Sequence, residues 1–136
     1  MAMDLLSRRE HSTYELTRKL EKRDFEMDEI EAALDRLQQE NLLSDCRFIE
    51  SIVNSRVNAG FGPFKILYEL RQKGISSERG EDYLAGLTVD WEQLMAIQRG
   101  KKFGQELPVE YKEKMKQARF LQNRGFSPES VMRLFR

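Results

Sequence analysis

Apolar residues recur at helical spacing along the whole chain, as in Met27, Ile30, Leu34 and Leu37 and again in Phe48, Ile49, Ile52 and Val53. Sustained period-two alternation is absent, so the pattern predicts an all-α protein. Start and stop signals divide it into nine helices. Ser12-x-x-Glu15 and Asp90-x-x-Gln93 read as capping boxes, and Ser127-Pro128 places a cap before a proline at the first helical position, where no N–H is required. Gly60-Phe61-Gly62-Pro63 joins two helices with no strand before it, so it reads as a tight elbow rather than a phosphate cradle.

Six residues recur on that background. Leu-x-x-Lys/Arg-Gly/Asp-Phe/Ile occurs at Leu20 to Phe25, Leu70 to Ile75 and Leu121 to Phe126, the leucines 50 and then 51 residues apart. An acidic residue follows each copy, at Asp28, Glu78 and Glu129, and then a large apolar one, at Leu34, Leu84 and Phe135. A near-constant period indicates one supersecondary unit copied and stacked. The chain therefore reads as an elongated array of three three-helix repeats, residues 1–43, 44–89 and 90–136. Each unit is too small to bury a sufficient core alone and must lean on its neighbours. Leu70 is expected to be a core residue joining the central repeat to both. Gly74 and Gly125 end the middle helices of repeats two and three, where a left-handed residue is commonly needed, and Asp24 holds that place in repeat one. So short a turn makes each pair of helices helix-turn-helix-like.

Composition narrows the chemistry. No stretch approaches the length of a membrane helix, which leads to the expectation of a soluble cytoplasmic protein. One cysteine, Cys46, and one histidine, His11, offer no disulfide and no metal set; Cys46 is expected to be half-buried and His11 to occupy a turn or the surface. With no phosphate loop and no nucleophile elbow, neither enzymatic activity nor a cofactor is expected. The zero net charge conceals a dipole. Residues 1–50 carry 8 Lys/Arg against 13 Asp/Glu, and residues 51–136 carry 15 against 10. Residues 99–124 alone hold 8 basic residues against 3 acidic ones.

A helix from Val109 to Arg124 carries the densest part of that charge. At 100° per residue Lys112, Lys116, Arg119 and Asn123 fall within about 60° of one another, while Tyr111, Met115, Ala118 and Leu121 gather on a packing side. Phe120, at the edge of the stripe, is assigned to packing. Such a stripe suits a phosphate backbone or an acidic protein surface. Arg99, Lys101, Lys102 and Arg124 extend it, Arg56 and Lys65 add positive charge on either side of the elbow, and Lys73 completes a set of ten candidate contacts for a partner or DNA.

Segments across residues 4–135 resemble the RecX family of recombination regulators. They are Leu6-Ser7-Arg8-Arg9-Glu10-His11-Ser12 with Glu15-Leu16 and Lys19-Leu20; Leu34-Asp35-Arg36-Leu37 with Leu42-Leu43-Ser44-Asp45 and Arg47-Phe48; Gly60-Phe61-Gly62 with Ile66, Glu69-Leu70 and Lys73-Gly74-Ile75; Asp90-Trp91; and Phe120 to Ser127. Asp24 and Asn41 replace glycines of the family pattern, and Ser44 an aspartate. The resemblance implies a nine-helix crescent, acting as a monomer without cofactor, that binds the RecA filament on single-stranded DNA and restrains its growth, ATP hydrolysis and strand exchange, with weak non-specific DNA binding of its own. Two alternatives are a helix-turn-helix regulator reading duplex DNA and a helical protein-interaction scaffold. The former is disfavoured because Glu29, Glu31 and Asp35, and then Glu78, Glu81 and Asp82, would meet phosphate on two of the three second helices.

Overall fold

A computed structural model describes all 136 residues. Nine helices and no strand follow in chain order: α1 Ala2–Arg8, α2 Thr13–Glu21, α3 Met27–Gln39, α4 Asp45–Asn58, α5 Pro63–Gln72, α6 Ser77–Ala85, α7 Trp91–Phe103, α8 Tyr111–Asn123 and α9 Pro128–Leu134. α8 starts at Tyr111 rather than Val109, because Pro108 and Val109 belong to the preceding loop. The starts have local causes. Ser12, Ser44, Ser76, Asp90 and Ser127 each accept from the N–H three residues on, satisfying a donor the helix leaves orphaned.

The turn after each middle helix is left-handed at its equivalent residue. Asp24 has φ 65°, Gly74 84° and Gly125 101°, and Asn41 adopts 60° where α3 ends. Aspartate and asparagine tolerate this region better than other side chains, so both keep the turn without glycine.

Packing is segregated by repeat. Leu5, Leu16, Leu20, Ile30, Leu34, Leu37 and Leu43 form one cluster; Phe48, Ile49, Val53, Ile66, Leu70, Ile75 and Leu84 a second; Met95, Ala118, Leu121, Phe126 and Val131 a third. Leu70, 1% exposed, is a core residue. It packs within the second cluster alone and does not bridge to both neighbours; Trp91, half-buried against the second and third clusters, makes the only apolar bridge among these groups. Three small cores in a row leave much surface uncovered. The chain exposes 9001 Å2, against about 7,400 Å2 for a compact monomer of this mass, as an elongated array requires.

The two junctions repeat one arrangement in different chemistry. In each, the start of a middle helix meets the left-handed turn of the next repeat's middle helix. At the first, Ser12 Oγ donates to the carbonyl of Lys73 at 2.7 Å, and a Cβ on Gly74 would run into the side chain of Tyr14. At the second, Gly62 N–H donates to Arg124 O at 2.8 Å and Phe64 N–H to Gly125 O at 2.9 Å. A Cβ on Gly62 would lie 2.6 Å from the carbonyl carbon of Gly125, so backbone meets backbone only because neither residue has a side chain. The Gly60-to-Pro63 elbow thus serves as the docking edge of repeat three.

Candidate partner-binding face and its supporting junctions

α8 builds the face. Ala118 and Leu121 are buried in the third core, which turns Lys112, Lys116 and Arg119 outward, all three exposed, with Asn123 continuing the row. None of the three cations has an ion pair or a side-chain hydrogen bond, although seven salt bridges occur elsewhere in the molecule. Lys101 and Lys102 add two exposed charges from the last turn of α7. Tyr111 departs from the expected packing face: it opens α8 and is 74% exposed, since the first turn projects beyond the core.

Phe120 packs, as its position suggested. Its ring meets that of Phe103 edge to face at 5.4 Å between centroids and lies against the third core. Lys102 Nζ and the Arg124 guanidinium lie 5.8 and 5.7 Å from it. Arg124 also lies 4.4 Å from the Phe61 centroid, with Lys65 Nζ at 4.7 Å. Cations and aromatic rings therefore alternate across the second junction, each ring drawing positive charge to its face.

The ten sequence candidates divide by what they already hold. Lys65, Lys101, Lys102, Lys112, Lys116 and Arg119 keep ammonium or guanidinium groups clear of any ion pair. The other four support the fold. Arg56 on α4 makes a bidentate pair with Glu69 on α5, each the other's one charge partner. Lys73 Nζ donates to Glu15 at 3.0 Å across the first junction. Arg124 donates to the carbonyls of Ala59, at 2.6 Å, and Gly60, at 3.3 Å. Arg99 requires a correction: it is 4% exposed and cannot meet a partner at the surface. Its guanidinium donates to the carbonyls of Gly104, Gln105 and Glu106 and to Gln117 Oε1 at 2.7–3.4 Å, a set of dipoles that satisfies a buried cation without a counter-ion.

Two further expectations are corrected. His11 lies in the connection between α1 and α2, one of the two places expected, but is 1% exposed rather than at the surface: it sits beside the first junction, its Nδ1 3.1 Å from Arg9 O and its Nε2 2.9 Å from Lys19 Nζ. Those partners fix a neutral ring that donates from Nδ1 and accepts at Nε2, and burial together with the nearby Arg9 and Lys19 charges lowers its pKa. Cys46 is exposed, its Sγ accepting from Arg79 at 3.2 Å.

Glu15 was legible only as a capping residue. Ser12 does accept from Glu15 N–H at 3.0 Å, but the Glu15 carboxylate turns to Arg9, at 3.0 and 2.6 Å, and to Lys73 instead of back to the cap. Burial pushes its pKa up; the hydrogen bonds and charges of Arg9 and Lys73 outweigh burial and hold it at about 2. Arg47 to Glu10, and Thr13 N–H to Asp45 Oδ1 at 2.7 Å, make the rest of the junction polar too.

Three tandem three-helix units, docked through left-handed turns and bearing one unpaired cationic face, define a helical-repeat protein. The chain belongs to the RecX family: its first, second and third three-helix domains match residues 1–37, 44–84 and 90–135. Curated relatives agree over nearly the full length. The regulatory protein RecX of Pseudomonas fluorescens is 45% identical over 133 residues, 98% of this chain and 86% of the relative. That of Ectopseudomonas mendocina is 43% identical over 135 residues, 99% and 90% respectively. The crystal structure of RecX from Lactobacillus salivarius superposes with a TM-score of 0.78 at 25% identity, covering 96% of this chain and 86% of that one. No helix is long and apolar enough to cross a membrane.

Proposed function

We propose that this chain is a non-enzymatic inhibitor of the RecA recombinase, binding the RecA filament on single-stranded DNA as a monomer and restraining its extension, ATP hydrolysis and strand exchange. Its place of action is then the cytoplasm, where the chromosome lies. The observation that carries the reading is the match of all three domains to a regulatory family together with a face of unpaired cations on the third. Lys101, Lys102, Lys112, Lys116 and Arg119 are free to meet the polyanionic filament, whereas Arg56, Lys73, Arg99 and Arg124 hold the scaffold that presents them.

A sequence-reading regulator of duplex DNA is less well supported. Exposed Asp28, Glu31 and Asp35 on α3 and exposed Glu78, Glu81 and Asp82 on α6 occupy two of the three would-be recognition helices and repel phosphate. The deciding experiment is RecA-catalysed ATP hydrolysis on single-stranded DNA. Added purified chain should slow it in a concentration-dependent way; hydrolysis unchanged at a several-fold excess over RecA would overturn the reading.

A further inference from the structure

A cleft of about 670 Å3 runs between α7, the 104–110 loop and α9, with Lys101 of the cationic face on its rim. Ile97, Leu107 and Leu134 supply its apolar lining, and Lys101 is among the residues that line it. Ile97 is 45% and Leu107 52% exposed. The loop does not wander: the buried Arg99 grips three successive carbonyls, Gly104 to Glu106, and Gln117 holds Arg99 in turn. A buried cation thus fixes the loop that presents Leu107 to solvent, and such a preformed edge avoids the ordering cost of binding.

We propose that this cleft takes a protein segment in which an apolar side chain lies next to a carboxylate, on the protein component of the filament rather than on its DNA. The apolar residue fills the space between Ile97, Leu107 and Leu134, and the carboxylate meets Lys101, which has no ion pair within the chain. This rests on the RecA reading and specifies which part of that partner the cleft engages. Charge and shape favour protein over nucleic acid. Aliphatic side chains offer no ring on which a base can stack. Glu106 and Glu110, exposed on the same loop but outside the cleft lining, oppose a continuous phosphate backbone running across the loop, whereas a single carboxylate is met at Lys101, the one exposed cation of the lining. The lining is mostly apolar yet open along its length, as suits side chains offered from another surface.

The test uses Ile97→Ser/Leu107→Ser and, separately, Lys101→Glu, each checked for wild-type melting by circular dichroism. Affinity is measured for RecA filaments on single-stranded DNA and for the same DNA without RecA. The double variant should bind filaments roughly 10-fold or more weakly, with the deficit maintained as salt is raised, and should bind naked DNA like wild type. Lys101→Glu should show a loss that salt diminishes. Folded double variant with undiminished filament affinity, while wild type inhibits ATP hydrolysis, would overturn the cleft assignment and leave the RecA reading standing. An equal loss on naked DNA would show the occupant to be nucleic acid, and wild-type self-association abolished by the double variant would show it to be a second copy; either refutes the proposal. If wild type itself neither binds nor inhibits RecA filaments, both readings fall.

Discussion

Glu15→Gln isolates the charge at the first junction. The side chain of Glu15 is 6% exposed, held by Arg9 Nη1 and Nη2 at 3.0 and 2.6 Å and by Lys73 Nζ at 3.0 Å. Glutamine keeps the shape, removes the negative charge and turns an amide toward two cations. The carboxylate is held at about 2 against an ordinary 4.5. At about 1.4 kcal/mol per pKa unit that difference corresponds to roughly 3.5 kcal/mol. Arg9 and Lys73 are 47% and 38% exposed, so water screens part of it and roughly 2–3 kcal/mol is expected at pH 7. A group whose folded pKa is depressed stabilises fully above its unfolded value and loses that contribution as pH falls through the folded one. The wild-type advantage should therefore be complete above about pH 4.5 and fade toward pH 2. Urea unfolding of both proteins across that range measures it. Equal stability at pH 7, or identical slopes between pH 4.5 and 2, would refute the assignment of this carboxylate as the charged centre of the junction.

Other consequences follow from particular contacts. Leu70→Ala should destabilise by roughly 2–5 kcal/mol, because a 1% exposed side chain leaves a cavity in a core of only seven buried residues; a thermal midpoint within a degree or two of wild type would contradict its placement. Gly125→Ala combines a side chain at φ 101° with a Cβ driven into the backbone of Lys65, and should cost at least about 2 kcal/mol in the same assay. His11 has a lowered folded pKa, so stability should decline as pH falls through the unfolded value near 6.5. Melting temperatures at pH 7.5 and 5.5 should show that decline in wild type and a smaller one in His11→Gln.

The local features of this molecule were legible in its sequence. Leu20, Leu70 and Leu121 announced the repeat, and the residues four positions on announced the left-handed turns, because both depend on neighbours within a single helix end. The outward face of α8 followed from helical periodicity once Ala118 and Leu121 were taken as core. What escaped depends on residues distant in sequence. Arg99 looked like part of a basic run; its burial arises from carbonyls of the following loop and from Gln117, 18 residues away. Lys73 and Glu15, 58 residues apart, meet only because the middle helices stack end on end. His11 was expected in a turn or at the surface because its own segment is polar; it does lie in the connection between α1 and α2, yet it is buried, with Arg9 and Lys19 of its own repeat as its ring partners. The Ile97, Leu107 and Leu134 cleft left no periodic signal, since its residues come from a helix, a loop and a second helix.

ATP hydrolysis by RecA on single-stranded DNA, measured with wild type and with Lys112→Glu/Lys116→Glu/Arg119→Glu across several salt concentrations, tests the role of the cationic face most directly. The three residues are exposed and unpaired, so the variant should fold normally, each change shifting stability by only about 0.5 kcal/mol. Wild type should inhibit hydrolysis most strongly at low salt. The variant should be much weaker there, and its salt dependence should be shallower by up to roughly one unit of slope for each phosphate it no longer neutralises. A folded variant as potent as wild type at every salt concentration would contradict the claim that the α8 face engages the filament.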